Sequence, residues 1–300
     1  MQSKEHFFIS KAPCSFMIMG EYFVLSHCGQ AIVLAVKNSV SVKLFPLPNQ
    51  KTIYFSSHLD QETILDRSLT KNPFLRKVLE IFNPPCGCEI YVSSDADPSM
   101  GMGTSAAFAV SLVRVFQQWL TSSFSLENTF LIALDVVRYA QDGYGSGADV
   151  AASVYGGLIH YQKHKTEPLF YDWNFFASYV GYKTKTTDMI QYVEKQNPPH
   201  YLYDSMKKCT NDAIESIKNK DLESFGRCMN IYHGLLSALG VSDKNMEDLV
   251  YRYRALEGVC GSKISGSGLG DCVIFCAKKI IEEQDCMPLI SFYNNESYNH

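Results

Sequence analysis

Apolar and polar positions follow two rhythms along this chain, and the places where one gives way to the other outline its elements. Residues 88–93 set Ile90 and Val92 against Glu89, Tyr91 and Ser93, the period of two of a half-buried strand. Val40, Val42 and Leu44 alternate in the same way with Ser39, Ser41 and Lys43. Apolar runs at 7–10, 15–19 and 31–36 predict further strands, the first two separated by Lys11-Ala-Pro-Cys14, with others at 52–56 and 158–162. The rhythm turns helical at Ala109, Leu112, Val113, Phe116, Trp119 and Leu120, which assigns Ser111, Arg114, Gln117 and Gln118 to an opposite, polar face. Helices are also predicted over 73–82, ended by Asn83-Pro-Pro, and over 126–139, with Ser125 as cap and Glu127 in the first turn. Past residue 170 a strand at 177–182 leads into three or four amphipathic helices. The clearest of these carries Leu222, Phe225, Met229, Tyr232, Leu236 and Leu239, and a strand at 272–277 and a polar tail follow. The pattern predicts two domains, 1–170 and 171–300.

Three glycine-rich stretches punctuate these elements. The first, Met100, Gly101, Met102, Gly103, Thr104, Ser105 and Ala106, lies between the strand at 88–93 and the long helix. A helix start presents unpaired N–H groups and the positive end of a dipole, and glycines let a phosphate approach the backbone. Thr104 and Ser105 add hydroxyls able to cap the helix, touch a phosphate or hold a metal. A simple capped turn into a core helix explains this stretch equally well. In the second, Gly143, Gly145 and Gly147 precede Asp149, which opens a short apolar helical turn. That arrangement suits either a backbone leaving room for substrate or a loop with a helix-capping Asp. The third is Lys263-Ile-Ser-Gly266-Ser-Gly268-Leu-Gly270-Asp271-Cys272, which runs into a strand. Glu21 stands apart as a carboxylate between apolar strands, either paired in the core or placed for a ligand.

Composition narrows the function classes. With 300 residues, 46% of them hydrophobic, the chain can build a full core, and a net charge of −4 argues against nucleic-acid binding by phosphate neutralisation. Ten cysteines without zinc-ligand spacing read as reduced thiols. No apolar run approaches the roughly 20 residues of a membrane span, and the N-terminus lacks the apolar core of a signal peptide. A soluble, cytoplasmic protein is expected, a monomer or homodimer that handles a small molecule. There is no G-x-x-x-x-G-K-[ST], and Gly266-Ser-Gly268-Leu-Gly270 lacks dinucleotide-binding spacing.

Taken in order, the three segments resemble the GHMP kinases. The family's A-P-G-K-x-x-L-x-G-E-[HY] is similar to Ala12-Pro13-Cys14-Ser15-Phe16-Met17-Ile18-Met19-Gly20-Glu21-Tyr22. Its P-x-x-x-G-L-G-S-S-A-A is similar to Gly101–Ala107, with Pro98 one place closer than usual, and its K-x-[ST]-G-[AS]-G-x-G-[GD]-C to 263–272. The resemblance implies a two-domain α+β protein, with an N-terminal domain like domain 2 of ribosomal protein S5 and a ferredoxin-like C-terminal domain. It also implies ATP with its phosphates on Met100–Ala106 and Mg2+ held by Ser105. Asp149 would be the catalytic acid–base group or charge stabiliser. Glu21, Tyr22, Ser146, Gly147, Lys263, Ser265, Gly266 and Ser267 would face the substrate. Two departures stand out. Ser15 occupies the place of the lysine of mevalonate-type members, leaving Lys11 or Lys263 to replace its charge, and Arg138 stands where mevalonate kinases carry a metal-binding Glu. Around Asp149 the pattern A-Q…G-S-G-A-D-V-A-A…Y-G is most similar to phosphomevalonate kinases, so 5-phosphomevalonate is the expected acceptor, with mevalonate second. A relative that binds nucleotide or metabolite without turnover also fits the loss of lysine at position 15.

Overall fold

The computed structural model describes residues 7–26, 28–48, 50–57, 61–64, 70–97, 100–283 and 285–293. Pro98 lies outside them. The first half is built on strand β2 (Gln30–Leu47), along one edge of which β1 (Phe8–Met19) runs antiparallel. Its other edge is shared by β5 (Gly87–Ser94) and β6 (Leu158–Gln162). Strands β3 (Ile53–Ser56), β4 (Gln61–Ile64) and β7 (Lys165–Leu169) complete a seven-stranded sheet. β1 is one strand where two were expected. A register shift between Pro13 and Cys14 absorbs the proline, whose missing N–H would otherwise break the ladder.

Helices α1 (Pro73–Phe82), α2 (Thr104–Leu120), α3 (Leu126–Ala140) and α4 (Ala148–Tyr155) belong to this half. Asn72 caps α1 at the Leu75 N–H with Pro73 following it, and Ser125 caps α3 at the Asn128 N–H. The polar face expected on α2 is exposed only in part: Gln118 is exposed and Arg114 half-buried. Ser111 and Gln117 are buried, because α2 is covered by β1 and β2 on one side and by the other helices around it. Both side chains have partners there: Ser111 Oγ donates to the Val40 carbonyl (2.7 Å), and Thr129 Oγ1 donates to Gln117 Oε1 (2.8 Å).

The second half holds a four-stranded antiparallel sheet in the order β11 (Met287–Pro288), β8 (Asn174–Tyr179), β10 (Cys272–Ala277), β9 (Val259–Ser265). With it go α5 (Thr186–Gln196), α6 (His200–Lys218), α7 (Leu222–Ala238) and α8 (Lys244–Arg254). The two-domain α+β layout matches the expectation. β8 ends three residues before the strand predicted there, because the chain turns at Gly181 toward the third glycine loop. The end of the described chain is not a free polar tail. The Lys37 N–H donates to the Ile290 carbonyl and the Phe292 N–H to the Ala35 carbonyl, tying it to β2.

One fully buried ion pair joins the halves. Lys263 of β9 donates through Nζ to Glu21 Oε1 (2.5 Å) and to the Ile264 carbonyl (2.6 Å), and its ammonium lies 5.7 Å from the Tyr232 ring centre. Tyr232 in turn donates to the Glu21 carbonyl (2.9 Å). Burial pulls both groups toward their neutral forms, raising Glu21 and lowering Lys263, and their mutual contact opposes it. Lys263→Met would strand a carboxylate in the interior, at an expected cost of about 3–5 kcal/mol in unfolding free energy. The double variant Glu21→Gln/Lys263→Met should cost less. Denaturant unfolding checks that ordering, and a double variant as unstable as the single one would contradict it.

Candidate active site

The three glycine segments meet in one cleft between the halves. Its wall includes Gly101, Gly103, Thr104, Ser105 and Ala106 from the first segment and Ser146, Gly147 and Asp149 from the second. Gly266, Ser267 and Asp271 come from the third, with Glu21 and Tyr22 beside them. No side chain caps α2, whose N-cap is Gly103 in the left-handed region (φ 60°). The start of that helix therefore turns its backbone N–H groups toward the cleft with Thr104 and Ser105 at its mouth.

The geometry assigns a second task to the glycines. A Cβ on Gly103 would lie 2.4 Å from Ser15 Oγ, and one on Gly101 would lie 2.5 Å from Asp271 Oδ1. Each glycine thus makes room for a functional side chain, one from each half of the molecule. Ser15 Oγ donates to Asp149 Oδ1 (2.8 Å), and the Ser15 N–H donates to the Met102 carbonyl (3.0 Å). Asp149 sits in the first turn of α4, where the helix N-terminus favours its charge. Burial nevertheless raises its carboxyl above the ordinary value, with the Ser15 hydrogen bond and the Lys183 ammonium opposing. Tyr161 holds the second loop by donating to the Ser146 carbonyl (2.7 Å), and Tyr22 donates to the Ser267 carbonyl (2.5 Å).

Not every expected site residue faces the cleft. Lys11 is on the surface, its side chain 56% exposed and 3.5 Å from Asp95, too committed to that edge to stand in for a lysine at position 15. Lys263 is sealed against Glu21 and is not part of the cleft wall. Ser265 is buried and donates to the Met17 carbonyl (2.8 Å). Met102 is buried, and Met100 offers its carbonyl to the Cys272 thiol (3.2 Å), so both support the loop from behind. Arg138 donates to the Gly145 carbonyl (3.3 Å) and shapes the second loop. The cleft also contains Lys183, Thr186, Thr187 and Ile190, which pattern reading missed because they follow β8 in no recognisable motif.

Asp271 is 4% exposed, and burial raises its carboxyl from 3.8 to about 6, with Lys183 opposing. The folded chain therefore holds this proton more tightly than the unfolded chain does. The Asp271 contribution to stability falls as pH rises from about 4 to about 6 and stays low above that. Relative to wild type, Asp271→Asn should gain about 2–3 kcal/mol of stability on going from pH 4 to pH 7. Unfolding curves at several pH values check this, and a pH-independent difference would refute it.

Comparison with known proteins points one way. The profile "GHMP kinases N terminal domain" matches residues 69–157, and "GHMP kinases C terminal" matches residues 213–283. The mevalonate kinase of Saccharolobus solfataricus is 28% identical over 97% of this chain and 95% of its own length. Among solved structures, L. major mevalonate kinase in complex with R-mevalonate superposes with a TM-score of 0.75 at 23% identity, covering 90% of this chain and 87% of that one. Streptococcus pneumoniae phosphomevalonate kinase in complex with phosphomevalonate and AMPPNP gives 0.80 at 15% identity, covering 94% and 99%. At these identities the two structures speak to the fold.

Proposed function

The chain belongs to the GHMP kinases, which are ATP-dependent phosphotransferases, and on that premise we propose that it phosphorylates mevalonate. This replaces 5-phosphomevalonate as the expected acceptor. The observation that carries the change is the charge of the cleft. Among the described residues of its wall one cation, Lys183, stands against the carboxyl groups of Asp149 and Asp271, the Glu21 carboxylate being paired with Lys263. The phosphate of 5-phosphomevalonate would add about two negative charges at neutral pH, with no further cation among the described residues of that wall to receive them. Mevalonate brings only a carboxylate, and its branched aliphatic body suits Val24, Leu25, Val137 and Ile190. The full-length similarity to mevalonate kinases supports the same choice.

In this reading the phosphates of ATP rest on the N-terminus of α2 along Gly101–Ala106. A second cavity, lined by Ser56 and, at and beyond the end of β5, by Tyr91, Ser93, Ala96 and Asp97, is the place for the nucleoside in this reading. The acceptor lies by Glu21, Tyr22, Ser146, Gly147 and Ser267. Its hydroxyl oxygen forms the new bond to phosphorus as the bond to ADP breaks, and the hydroxyl proton passes to Asp149. Ser15 fixes the Asp149 carboxylate through its hydrogen bond. Ser105 is exposed in the first helical turn and lines the cleft, and its hydroxyl is a hard oxygen donor that fits Mg2+ together with phosphate oxygens and water. The ion would supply charge neutralisation to the phosphates.

An ADP-release assay with ATP and magnesium, given each acceptor in turn, tests the reading. Turnover is expected with mevalonate, and turnover with 5-phosphomevalonate alone would overturn it. Asp149→Asn should lower kcat by about 10²–10⁴-fold with nucleotide affinity nearly unchanged. Activity should be lost toward acid as Asp149 is protonated. Ser15→Ala should move that acid limb to higher pH, because it removes a hydrogen bond that favours the carboxylate.

A further inference from the structure

Lys183 stands where the phosphate loop and the acceptor side of the cleft meet, and nothing in the motifs assigns it a task. Its Nζ lies 4.0 Å from Asp271 Oδ1, a buried oxygen without a hydrogen-bond partner, and Asp271 packs directly on Gly101 of the phosphate loop. The Lys183 ammonium also acts electrostatically on Asp149, so one cation serves both carboxylates. Its backbone is fixed to the third glycine loop on both sides. The Asp271 N–H donates to the Tyr182 carbonyl (3.0 Å), and Thr184 Oγ1 donates to the Leu269 carbonyl (2.6 Å). Tyr182 is anchored further by donating to Asp243 Oδ2 (2.6 Å). The side chain lines the cleft and is 37% exposed, within reach of a group bound there.

We propose that Lys183, reaching in from the second half of the chain, is a catalytic residue that donates hydrogen bonds to the transferring phosphoryl group and supplies the positive charge absent at Ser15. The assignment rests on the phosphoryl-transfer reading above. In the step, the acceptor oxygen bonds to phosphorus and the electron pair of the broken P–O bond stays on ADP. The acceptor proton goes to Asp149, and Lys183 keeps its own protons throughout. Asp271 is a positioning residue that aims the ammonium from its place against Gly101.

The test compares Lys183→Met and Lys183→Arg with wild type in the full chain. Lys183→Met should lower kcat by about 10²–10³-fold, the loss seen when one donor to developing charge is removed, while the KM for ATP changes little. Lys183→Arg, which keeps the charge, should recover a substantial part of kcat, and circular dichroism should show both variants folded at the assay temperature. Calorimetry supplies an arm that needs no acceptor. ADP with magnesium and fluoroaluminate, a mimic of the phosphoryl group in flight, should bind Lys183→Met at least about tenfold more weakly than wild type, while ADP alone binds both equally. This arm separates the two readings, because wild type preferring 5-phosphomevalonate would overturn the acceptor while leaving the fluoroaluminate difference intact. A kcat for Lys183→Met within about threefold of wild type, or equal loss of affinity for ADP and ADP–fluoroaluminate, would overturn the role of Lys183.

Discussion

The geometry of the cleft depends on a pair of charges that are hidden from water. Glu21 is the last residue but one of the first motif and Lys263 begins the third, and their contact draws the end of β1 and β9 together in a region where neither group has solvent to fall back on. Desolvating two ions is so costly that their attraction barely repays it, so the pair is poor as a source of net stability. It is far better as a register device, because any docking of the halves that separates the two leaves a bare charge in the interior. The contacts from Tyr22 to Ser267, Ser265 to Met17 and Cys272 to Met100 fall on the same seam. Each is modest alone, and each is correct only in the arrangement that the ion pair enforces.

That arrangement explains the charge of the cleft. With Lys263 committed to Glu21 and Lys11 to the surface, neither lysine of the flanking motifs is left for anionic ligands. Asp149 and Asp271 then raise one another's cost of ionisation, and Lys183 offsets both. Under the proposed function, a site with this balance would favour the less charged acceptor. Each additional negative group on an acceptor meets carboxylates that are already short of partners, and the penalty is felt most strongly where burial keeps water from screening it.

Much of this was legible from residue order because local chemistry determines it. The N-terminus of α2 after two glycines and the cap at Ser125 follow from short stretches of chain, whereas the meeting of the three glycine segments was expected only from the family resemblance. What escaped depends on distant packing. Ser111 and Gln117 look like a solvent face until β2 and α3 pack on α2 and supply them with Val40 and Thr129. Lys263 looked available because a motif shows a lysine but not the direction of its ammonium. Lys183 escaped for the opposite reason, since its place is set by a turn that docks on a loop nearly ninety residues later, and no local pattern marks it.

The glycines of the first loop carry the last step of this reasoning. Their faces are filled by Ser15 and Asp271, so the familiar account in which such glycines exist only to admit a phosphate does not suffice here. The phosphate loop is shaped around one side chain from each half, and it reaches its form only when both are in place. Docking of the halves therefore also completes the packing behind the proposed phosphate site. A Cβ at position 103 would do more than crowd a nucleotide. It would displace the hydroxyl that fixes the Asp149 carboxylate, joining a backbone defect in one motif to a protonation defect in another.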